Sequence, residues 1–559
     1  MSPGPFSRPA PLLPLDEVPR TSRPAAATRA APGAHGPVRI AIVAATAHEA
    51  AQRQQVLVQA AAAWQVPAWV QVLGADELAG ANTAPHVAWV HSAAPTVALA
   101  TALRRWRETQ PVAVLMDGAL PQGEAWACLL EAGDVLMGSS ADLLRWLAGR
   151  NGAALDKAVP SAPFLVDAWR SAKARLWPTG MPAPSACLRQ AGGERQPGRA
   201  DEGLQWLDSA SAQGWLNPDP GLRRHWTADA DAGWRMQAGA TVLALAKGFV
   251  AADAITLGLT LDPAGRRCPV PLLSWSAVPT FTHDDGSVPH TPMPAAPSIY
   301  AIVDNAERLA RCAEHGAQIV QLRTKLPPHP TPQDQARLRQ AIAGSIEAAH
   351  AAGAALFIND HRQAALDLGA SGLHLGQEDL LALTEMQRAS LRQPRLASEG
   401  GRLLAVDWAQ APGDAPMRLL HLGISSHSVW ELARARALAP DYIACGPVWA
   451  TTTKDMPWHP QGLRNLRWWV ANAGCPVVAI GGILSAEQIR DTAACGAAAV
   501  CVVRGLGDDP ARTLPAMQQA LAEGWARAQA DRSAAPVLPH PSLASGFGVH
   551  DVREAHDAV

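Results

Sequence analysis

Polar and charged residues follow short apolar stretches at several points in the second half of the chain. The stretch QLRTK carries Gln321, Arg323 and Lys325 on alternate positions, so an extended backbone would point all three side chains the same way. Another stretch, GPVWATTTKD, carries three threonines followed by Lys454. Arginine and lysine side chains are suited to bind phosphate oxygens. This spacing therefore predicts a ligand rich in phosphate.

Carboxylates and glycines stand at other positions of the same kind. Asp360 follows the apolar stretch ALFIN and Asp379 stands in GQED, with no matching set of cysteine or histidine ligands. Such oxygen ligands favour a hard cation, Mg²⁺ rather than zinc. Gly481-Gly482 and Gly505 offer backbone N–H groups that can bind a phosphate. We expect a diphosphate held with Mg²⁺ and a separate monophosphate. The sequence shows no Ser-His-Asp or Cys-His arrangement, so covalent catalysis is not indicated.

All of these positions end strand candidates. There are eight apolar runs, and amphipathic helical patterns separate most of them. Together these eight strand–helix units span about 235 residues, which is the size of a (β/α)8 TIM barrel. Strands covered by helices read as near-continuous apolar runs, as these do. The C-terminal ends of barrel strands meet at one mouth, so the polar residues are predicted to share a site. The predicted strands are 298–303, 318–323, 355–360, 372–376, 419–425, 442–448, 476–482 and 499–505.

The remaining chain divides into a second domain and three connecting or terminal segments. Residues 37–262 alternate short apolar runs with helical stretches, which predicts an α/β domain with a parallel sheet. Residues 1–36 are predicted to be a disordered Pro/Ala-rich tail, 263–296 a linker, and 531–559 a flexible tail. The barrel is predicted over residues 297–530.

Composition excludes several classes of function. The chain has 559 residues, a net charge of −2 and 48% hydrophobic residues, and no basic block follows the N-terminal tail. Neither nucleic acid nor a membrane is therefore expected as a partner, and no apolar run is long enough to span a bilayer. Eight cysteines without CxxC spacing indicate reduced, buried thiols in a cytoplasmic protein. Small-molecule substrates are expected, and homo-oligomerisation stays open.

Six ordered motifs resemble those of thiamine phosphate synthase. They are QLRTK, FINDH, GLHLGQEDL, LGISSHS, GPVWATTTKD and VVAIGGI, within residues 297 to about 510. In that family a pyrimidine methyl diphosphate condenses with a thiazole phosphate, or its carboxylated tautomer, and pyrophosphate leaves. The family's reaction is described as dissociative, so the diphosphate leaves before the new bond forms and a closing loop is expected to exclude water.

The resemblance implies a role for each strand end. The residues that it implies for catalysis are Lys454, Arg323 and Ser425. Those that it implies for substrate binding are Gln321, Arg323, Lys325, Asn359, Ser425, Thr451, Thr453, Lys454, Gly482, Val503 and Arg504. Within this set, the residues that would face the thiazole phosphate are Thr451, Thr453, Gly482 and the backbone at Val503-Arg504. Mg²⁺ would be held by Asp360 and Asp379.

Two features depart from the family pattern. Arg504 stands where the family usually has serine, and the stretch from RQPRLASEGG to DAPMR before the fifth strand is longer than usual. The longer stretch is predicted to form a surface insertion.

Residues 37–262 resemble a degraded hydroxymethylpyrimidine (phosphate) kinase of ribokinase-like fold. IAIVAATAHEAAQ occupies the place of the kinase's Gly-rich loop without its glycines, and VLMGSSADLL lacks an Asn-x-x-Glu. MQAGATVLALAKGF resembles the final anion hole, with Ala240 at the position of the catalytic base. We therefore expect no kinase activity. The alternatives are an active kinase domain, a thiazole tautomerase-like barrel and a non-catalytic metabolite sensor.

Overall fold

The protein is described from a computed structural model of the chain. The residues that it describes are 37–74, 77–78, 85–92, 97–109, 112–118, 130, 133–139, 162–176, 183–189, 203–218, 230–279, 281, 296–393, 395–397, 403–404, 417–418, 420–451, 458–531 and 537–543.

The first domain is built on a nine-stranded sheet. Its strands are β1 Val38–Ala44, β2 Ala68–Leu73, β3 Val87–Ser92, β4 Ala113–Gly118, β5 Val135–Ser139, β6 Ser185–Arg189, β7 Gln205–Asp208, β8 Gln213–Asn217 and β9 Leu272–Leu273. They lie in the order β2-β1-β3-β4-β5-β6-β7-β8-β9. The first six strands pair in parallel, as the alternating pattern predicts. Strands β7 to β9 pair antiparallel, which the sequence pattern did not predict.

Helices cover both faces of this sheet. They are α1 Ala47–Trp64, α2 Val97–Thr109, α3 Ala162–Leu176, α4 Ala230–Ala246 and α5 Ala251–Gly258. Leu57 of α1 and Val242 of α4 belong to one buried cluster, and Trp106 of α2 and Trp169 of α3 to another. The domain therefore has three layers, with a core on each side of the sheet. The segment predicted as a linker supplies β9 to this domain.

The second domain is a closed barrel of eight parallel strands, which confirms the predicted (β/α)8 fold. The strands are β10 Ser298–Val303, β11 Ile319–Leu322, β12 Ala355–Asn359, β13 Gly372–Leu375, β17 His421–Ser426, β18 Tyr442–Cys445, β19 Val477–Ala479 and β20 Ala499–Val502. They lie in that order, and β20 pairs with β10 to close the barrel. Most strands end earlier than predicted. After β19, for example, Gly481 and Gly482 have φ of +95° and +70°, which no strand accommodates.

Helices surround the barrel. They are α6 Ala306–Glu314, α7 Pro332–Ala352, α8 Arg362–Leu368, α9 Gln377–Ala382, α10 Glu385–Ser390, α11 Val429–Arg436, α12 Gly462–Asn472, α13 Ala486–Ala493 and α14 Pro510–Ala530. Local signals set their ends. Helix α7 begins at a capping box of Thr331 and Asp334 with Pro332 in its first turn, and it ends at Gly353 in the left-handed conformation.

Side chains fill the barrel interior, which is a packed core and not a channel. Tyr300 and Ile302 of β10 point inward to a cluster with Phe357 and Tyr442, while their neighbour Ile299 packs outward against the helices. This alternation follows from the two-residue period of a strand. The interior core forms the floor on which the strand ends stand.

Two segments outside the eight units also contribute structure. The predicted insertion contains a small antiparallel sheet of β14 Arg395–Ala397, β15 Leu403–Leu404 and β16 Met417–Arg418. Residues 537–543, part of the predicted flexible tail, lie against α12, where Leu538 is buried. Among the described helices, none is long and apolar enough to cross a membrane.

Candidate active site

A cavity of about 890 Å³ lies at the C-terminal ends of the barrel strands. Of the predicted site residues, the structure describes all but Thr453 and Lys454, which lie outside the described residues. Every described one lines this cavity: Gln321, Arg323, Lys325, Asn359, Asp360, Asp379, Ser425, Thr451, Gly482, Val503 and Arg504. Residues that are far apart in the sequence are thus brought to one place.

A chain of hydrogen bonds crosses the barrel interior and joins two of the predicted site residues. Gln321 Nε2 donates to Tyr300 Oη at 2.9 Å, and Tyr300 Oη lies 2.8 Å from Tyr442 Oη. His374 Nδ1 lies 2.8 Å from Tyr442 Oη, and its Nε2 lies 2.9 Å from Ser425 Oγ. Gln321 and Ser425 therefore stand at the two ends of one network.

The direction of this network follows from the charge of His374. Burial, together with the nearby charges of Arg323 and His427, lowers the pKa of His374 to about 4, so the imidazole is neutral. A neutral imidazole donates from one nitrogen and accepts at the other. Gln321 donates to Tyr300, and a buried hydroxyl proton needs an acceptor, so Tyr300 donates to Tyr442 and Tyr442 donates to Nδ1 of His374. Nε2 of His374 then donates to Ser425 Oγ, which leaves the hydroxyl proton of Ser425 available to another acceptor.

Sequence reasoning did not select Tyr300, Tyr442 or His374 as site residues. A signal was present, because the chain has only two tyrosines and both stand inside otherwise apolar strands. A polar aromatic residue in a buried strand needs a hydrogen-bond partner, and such a position is therefore a candidate for a network.

The cationic side chains stand on the strand β11 side of the cavity. Arg323 follows β11 directly, and Lys325, two positions further, is exposed. Both side chains line the cavity, where their charges are available to bind an anion.

The carboxylates follow strands β12 and β13. Asp360 adopts φ of +62°, a left-handed conformation that aspartate tolerates better than most residues. Asp379 Oδ2 accepts the N–H of Gly376 at 3.0 Å, which fixes the carboxylate at the start of α9. Glu378 also lines the cavity. The described residues contain no group of three or more His, Cys, Asp or Glu side chains that could enclose a metal by themselves.

A glycine pair follows β19 at the opposite side of the mouth. A Cβ atom at Gly482 would lie 2.7 Å from the Cβ and backbone oxygen of Trp449, and φ is +70°, so only glycine fits there. Val503 and Arg504 follow β20, where Arg504–Leu506 form a 3₁₀ turn. Loops after the seventh and eighth strands are the usual phosphate position in such barrels.

The loop after β18 is held by aromatic and terminal residues. His427 stacks on Trp458 with ring centroids 5.3 Å apart, and Nδ1 of His427 lies 3.0 Å from Glu431 Oε2. Trp458 pairs with Leu543 of the C-terminal segment, and all of these side chains line the cavity. The C-terminal segment is therefore part of the wall.

The first domain holds a different arrangement where the kinase resemblance places phosphate groups. Glu49 Oε2 accepts the N–H of Thr46, so the start of α1 is capped by a carboxylate of the protein itself. Gly239 and Ala240, in the stretch that resembles the kinase's anion hole, lie in the interior of α4, where Ala240 is fully buried. Backbone N–H groups in a helix interior already bond to the preceding turn and cannot bind an anion.

The barrel and its mouth define a class: a (β/α)8 protein whose strand ends bring cationic side chains, carboxylates and a left-handed glycine pair to one cavity, as an enzyme for phosphorylated small molecules requires. The family model for thiamine monophosphate synthase matches residues 299–393 and 415–506, so it omits most of the predicted insertion. A thiamine-phosphate synthase from Rhizobium etli is 37% identical over 219 residues, 38% of this chain and 90% of the relative. One from Neisseria meningitidis is 38% identical over 216 residues, 38% of this chain and 89% of the relative.

A solved thiamine phosphate pyrophosphorylase from Pyrococcus furiosus is 23% identical, with a TM-score of 0.31 over 41% of this chain and 96% of that chain. The chain belongs to the thiamine-phosphate synthase family, whose members are transferases of thiamine biosynthesis. The family match begins at residue 299, and the first domain lies outside it.

Proposed function

We propose that the barrel condenses 4-amino-2-methyl-5-(diphosphooxymethyl)pyrimidine with thiazole phosphate to give thiamine phosphate and pyrophosphate in the cytoplasm. With the carboxylated tautomer of the thiazole as substrate, the carboxylate leaves as CO₂. The observation that carries this proposal is that every described residue implied by the family motifs lines one cavity. Its volume of about 890 Å³ lies within the range of small-molecule sites.

The cations and Ser425 would bind the pyrimidine diphosphate. The C–O bond between the pyrimidine methylene and the diphosphate breaks, its electron pair stays on the diphosphate oxygen, and the thiazole then bonds to the methylene carbon. Arg323 and Lys325 would stabilise the negative charge that develops on the leaving group. Ser425, which accepts from His374, would donate its proton to the pyrimidine. Lys454 is proposed to assist the same leaving group.

Asp360 and Asp379 are proposed to hold Mg²⁺. Both offer hard oxygen donors at the cavity, and two protein carboxylates leave coordination positions for diphosphate oxygens and water, as Mg²⁺ prefers. The bound cation would neutralise and orient the diphosphate. Opposite these residues, Gly482, Thr451, Thr453 and the backbone at Val503-Arg504 are proposed to bind the thiazole phosphate.

One assay tests the reaction. The full chain is incubated with both phosphorylated precursors and Mg²⁺, and thiamine phosphate is detected by mass spectrometry. Absence of product from folded protein would overturn the proposal, and thiazole isomerisation without condensation would support the tautomerase alternative. A Lys454→Ala variant that keeps the full rate would contradict the role proposed for that lysine.

The first domain is proposed to have no kinase activity. The helix-interior position of Gly239-Ala240 and the carboxylate cap on α1 both support this, since neither place can bind phosphate. Incubation of the full chain with ATP and hydroxymethylpyrimidine is expected to give no phosphorylated pyrimidine. Its formation would restore the bifunctional alternative.

A further inference from the structure

Helix α11 of the barrel is buried on all sides. A helix on the outside of a barrel normally exposes one polar face to solvent. In α11, however, residues 429–435 are all buried, and Glu431 and Arg434 expose only 4% and 3% of their surface. The first domain covers the face of α11 that would otherwise be exposed.

The first domain contacts both ends of this helix. At its start, Asp253 of α5 accepts the N–H of Trp430 at 2.9 Å. At its end, Arg434 Nη2 donates to the backbone oxygen of Gln213 at 2.9 Å, and the guanidinium lies 5.5 Å from the centroid of the Trp275 ring. Removing one partner of a buried charged group lowers the stability of the folded protein. We therefore expect these contacts to hold the two domains in one fixed arrangement.

The same junction brings a turn of the first domain to the cavity. The β7–β8 turn, residues 209–212, and Gln213, the first residue of β8, line the cavity together with the barrel residues described above. Ser209 stabilises the turn, because its Oγ donates to the Ala212 oxygen and accepts the Ala212 N–H, both at 2.9 Å. Ala210, next to Ser209, is exposed, and its side chain is a single methyl group.

The position of the turn relative to the two substrates follows from its contacts. Arg434, which holds the turn through Gln213, belongs to the helix after β17, the strand that carries Ser425. Strand β13, which precedes Asp379, is the neighbour of β17. Gly482 and Arg504 follow β19 and β20, further around the barrel. The turn therefore lies on the side of the pyrimidine diphosphate.

We propose that the β7–β8 turn of the first domain is a part of the synthase active site, where it walls the cavity beside the pyrimidine diphosphate and excludes water. This inference rests on the proposed condensation. When the C–O bond to the diphosphate breaks, water can compete with the thiazole: its oxygen bonds to the methylene carbon, one proton passes to solvent, and hydroxymethylpyrimidine forms. A wall at this place favours condensation over hydrolysis.

A tryptophan placed on the turn tests the inference in the full chain. Ala210→Trp would occupy the cavity only if the turn lies against it, and we expect kcat/KM for thiamine phosphate to fall about tenfold or more. Gln55→Trp, at an exposed position of α1, is the matched control and is expected to leave kcat/KM unchanged. Both positions are exposed, so the melting temperatures should match the wild type.

A second variant tests the exclusion of water. Trp275→Ala removes the ring beside Arg434 and loosens the junction, so the ratio of hydroxymethylpyrimidine to thiamine phosphate should rise about threefold or more. If Ala210→Trp does not fold, Ser211→Trp on the same turn is judged by the same criterion.

The outcomes separate the two proposals. If the wild type is active and kcat/KM of Ala210→Trp stays within about twofold of the wild-type value, the turn does not wall the active site, and the proposed synthase function is unaffected. A wild type that forms no thiamine phosphate overturns the proposed function and this inference with it.

Discussion

The hydroxyl oxygens of Tyr300 and Tyr442, the two tyrosines of the chain, lie 2.8 Å apart inside the barrel. Their rings meet edge to face with centroids 5.8 Å apart. Through them the amide of Gln321 is linked to His374 and Ser425 on the other side of the cavity floor. The floor is thus a polar network embedded in an apolar core, and each member depends on its neighbours.

Tyr442→Phe is expected to impair activity more than Tyr300→Phe. Loss of the Tyr442 hydroxyl leaves His374 Nδ1 without its donor, so the proton on Nε2 that orients Ser425 is no longer specified. Tyr300→Phe keeps the bond from Tyr442 to His374. Each variant leaves a buried polar group without a partner and should cost about 1–3 kcal/mol in the free energy of unfolding. Steady-state kinetics and urea unfolding measure both, and equal kcat/KM values would contradict the role of the network.

Asp360→Asn is expected to lower kcat by about 100-fold or more and to raise the Mg²⁺ concentration needed for half-maximal rate. Asparagine tolerates the left-handed conformation of this residue at φ of +62°, so the melting temperature should change little. Asp367→Asn, at an exposed carboxylate paired with Arg339, is the control. An unchanged Mg²⁺ dependence in Asp360→Asn would remove Asp360 from the cation site.

The barrel could be predicted because its physical signals are local. Each strand is a continuous apolar run, each is followed by a polar or Gly-rich segment, and barrel geometry alone brings those segments together. The cavity lining by Arg323, Asp379 and Gly482 follows from that rule. The interior network does not follow from this rule, because Tyr300 and Tyr442 lie in strands that are not neighbours and their side chains meet only inside the closed barrel.

The junction between the domains could not be predicted from sequence. Asp253 and Trp430 are separated by 177 residues, and Arg434 and Gln213 by 221 residues, with no shared pattern that relates them. Asp253 accepts the N–H of Trp430 only because the two domains pack together, and a single sequence does not show which surfaces pack. The burial of residues 429–435 is explained by the first domain, which covers the outer face of α11.

Gly482→Ala is expected to raise KM for thiazole phosphate about tenfold and to destabilise the protein by about 1–3 kcal/mol. The added Cβ would lie 2.7 Å from Trp449 at a φ of +70°. Gly353→Ala is the matched control, since Gly353 has φ of +64° but no atom within 4 Å of an added Cβ, and it lies at the end of α7. Thermal unfolding and substrate titration compare the two. Equal KM values in both variants would contradict a phosphate site at Gly482.

Leu538→Ala is expected to destabilise the protein by about 2–5 kcal/mol, since it deletes a fully buried side chain. The backbone oxygen of Leu538 accepts from Arg464, and the segment also bonds to His459 through Ser542 at 2.8 Å. Val537→Ala, at a position with 38% exposure, should have little effect. Denaturant unfolding compares them. A loss of kcat/KM in Leu538→Ala alone would also show that this segment positions Trp458.

Asp253→Asn should stabilise the protein at neutral pH. Burial and the nearby charge of Glu431 raise the pKa of Asp253 to about 7, although the N–H groups of Trp430 and Val429 act in the opposite direction. Between the ordinary value of 3.8 and about 7 the native carboxyl keeps a proton that the unfolded chain has lost. The native state then binds more protons, so its stability falls as pH rises through this window, by on the order of 4 kcal/mol in total.

The asparagine variant removes this dependence while its amide oxygen can still accept the N–H of Trp430. The difference in unfolding free energy between Asp253→Asn and wild type should therefore be near zero at pH 4 and should grow in favour of the variant up to about pH 7. His374 acts in the opposite direction, because its pKa of about 4 makes stability fall as pH decreases from 6.5. Both proteins contain His374, so its contribution cancels in the difference. A difference that stays flat from pH 4 to 8 would show that Asp253 is not protonated at the junction, and denaturant titrations at each pH decide between the two.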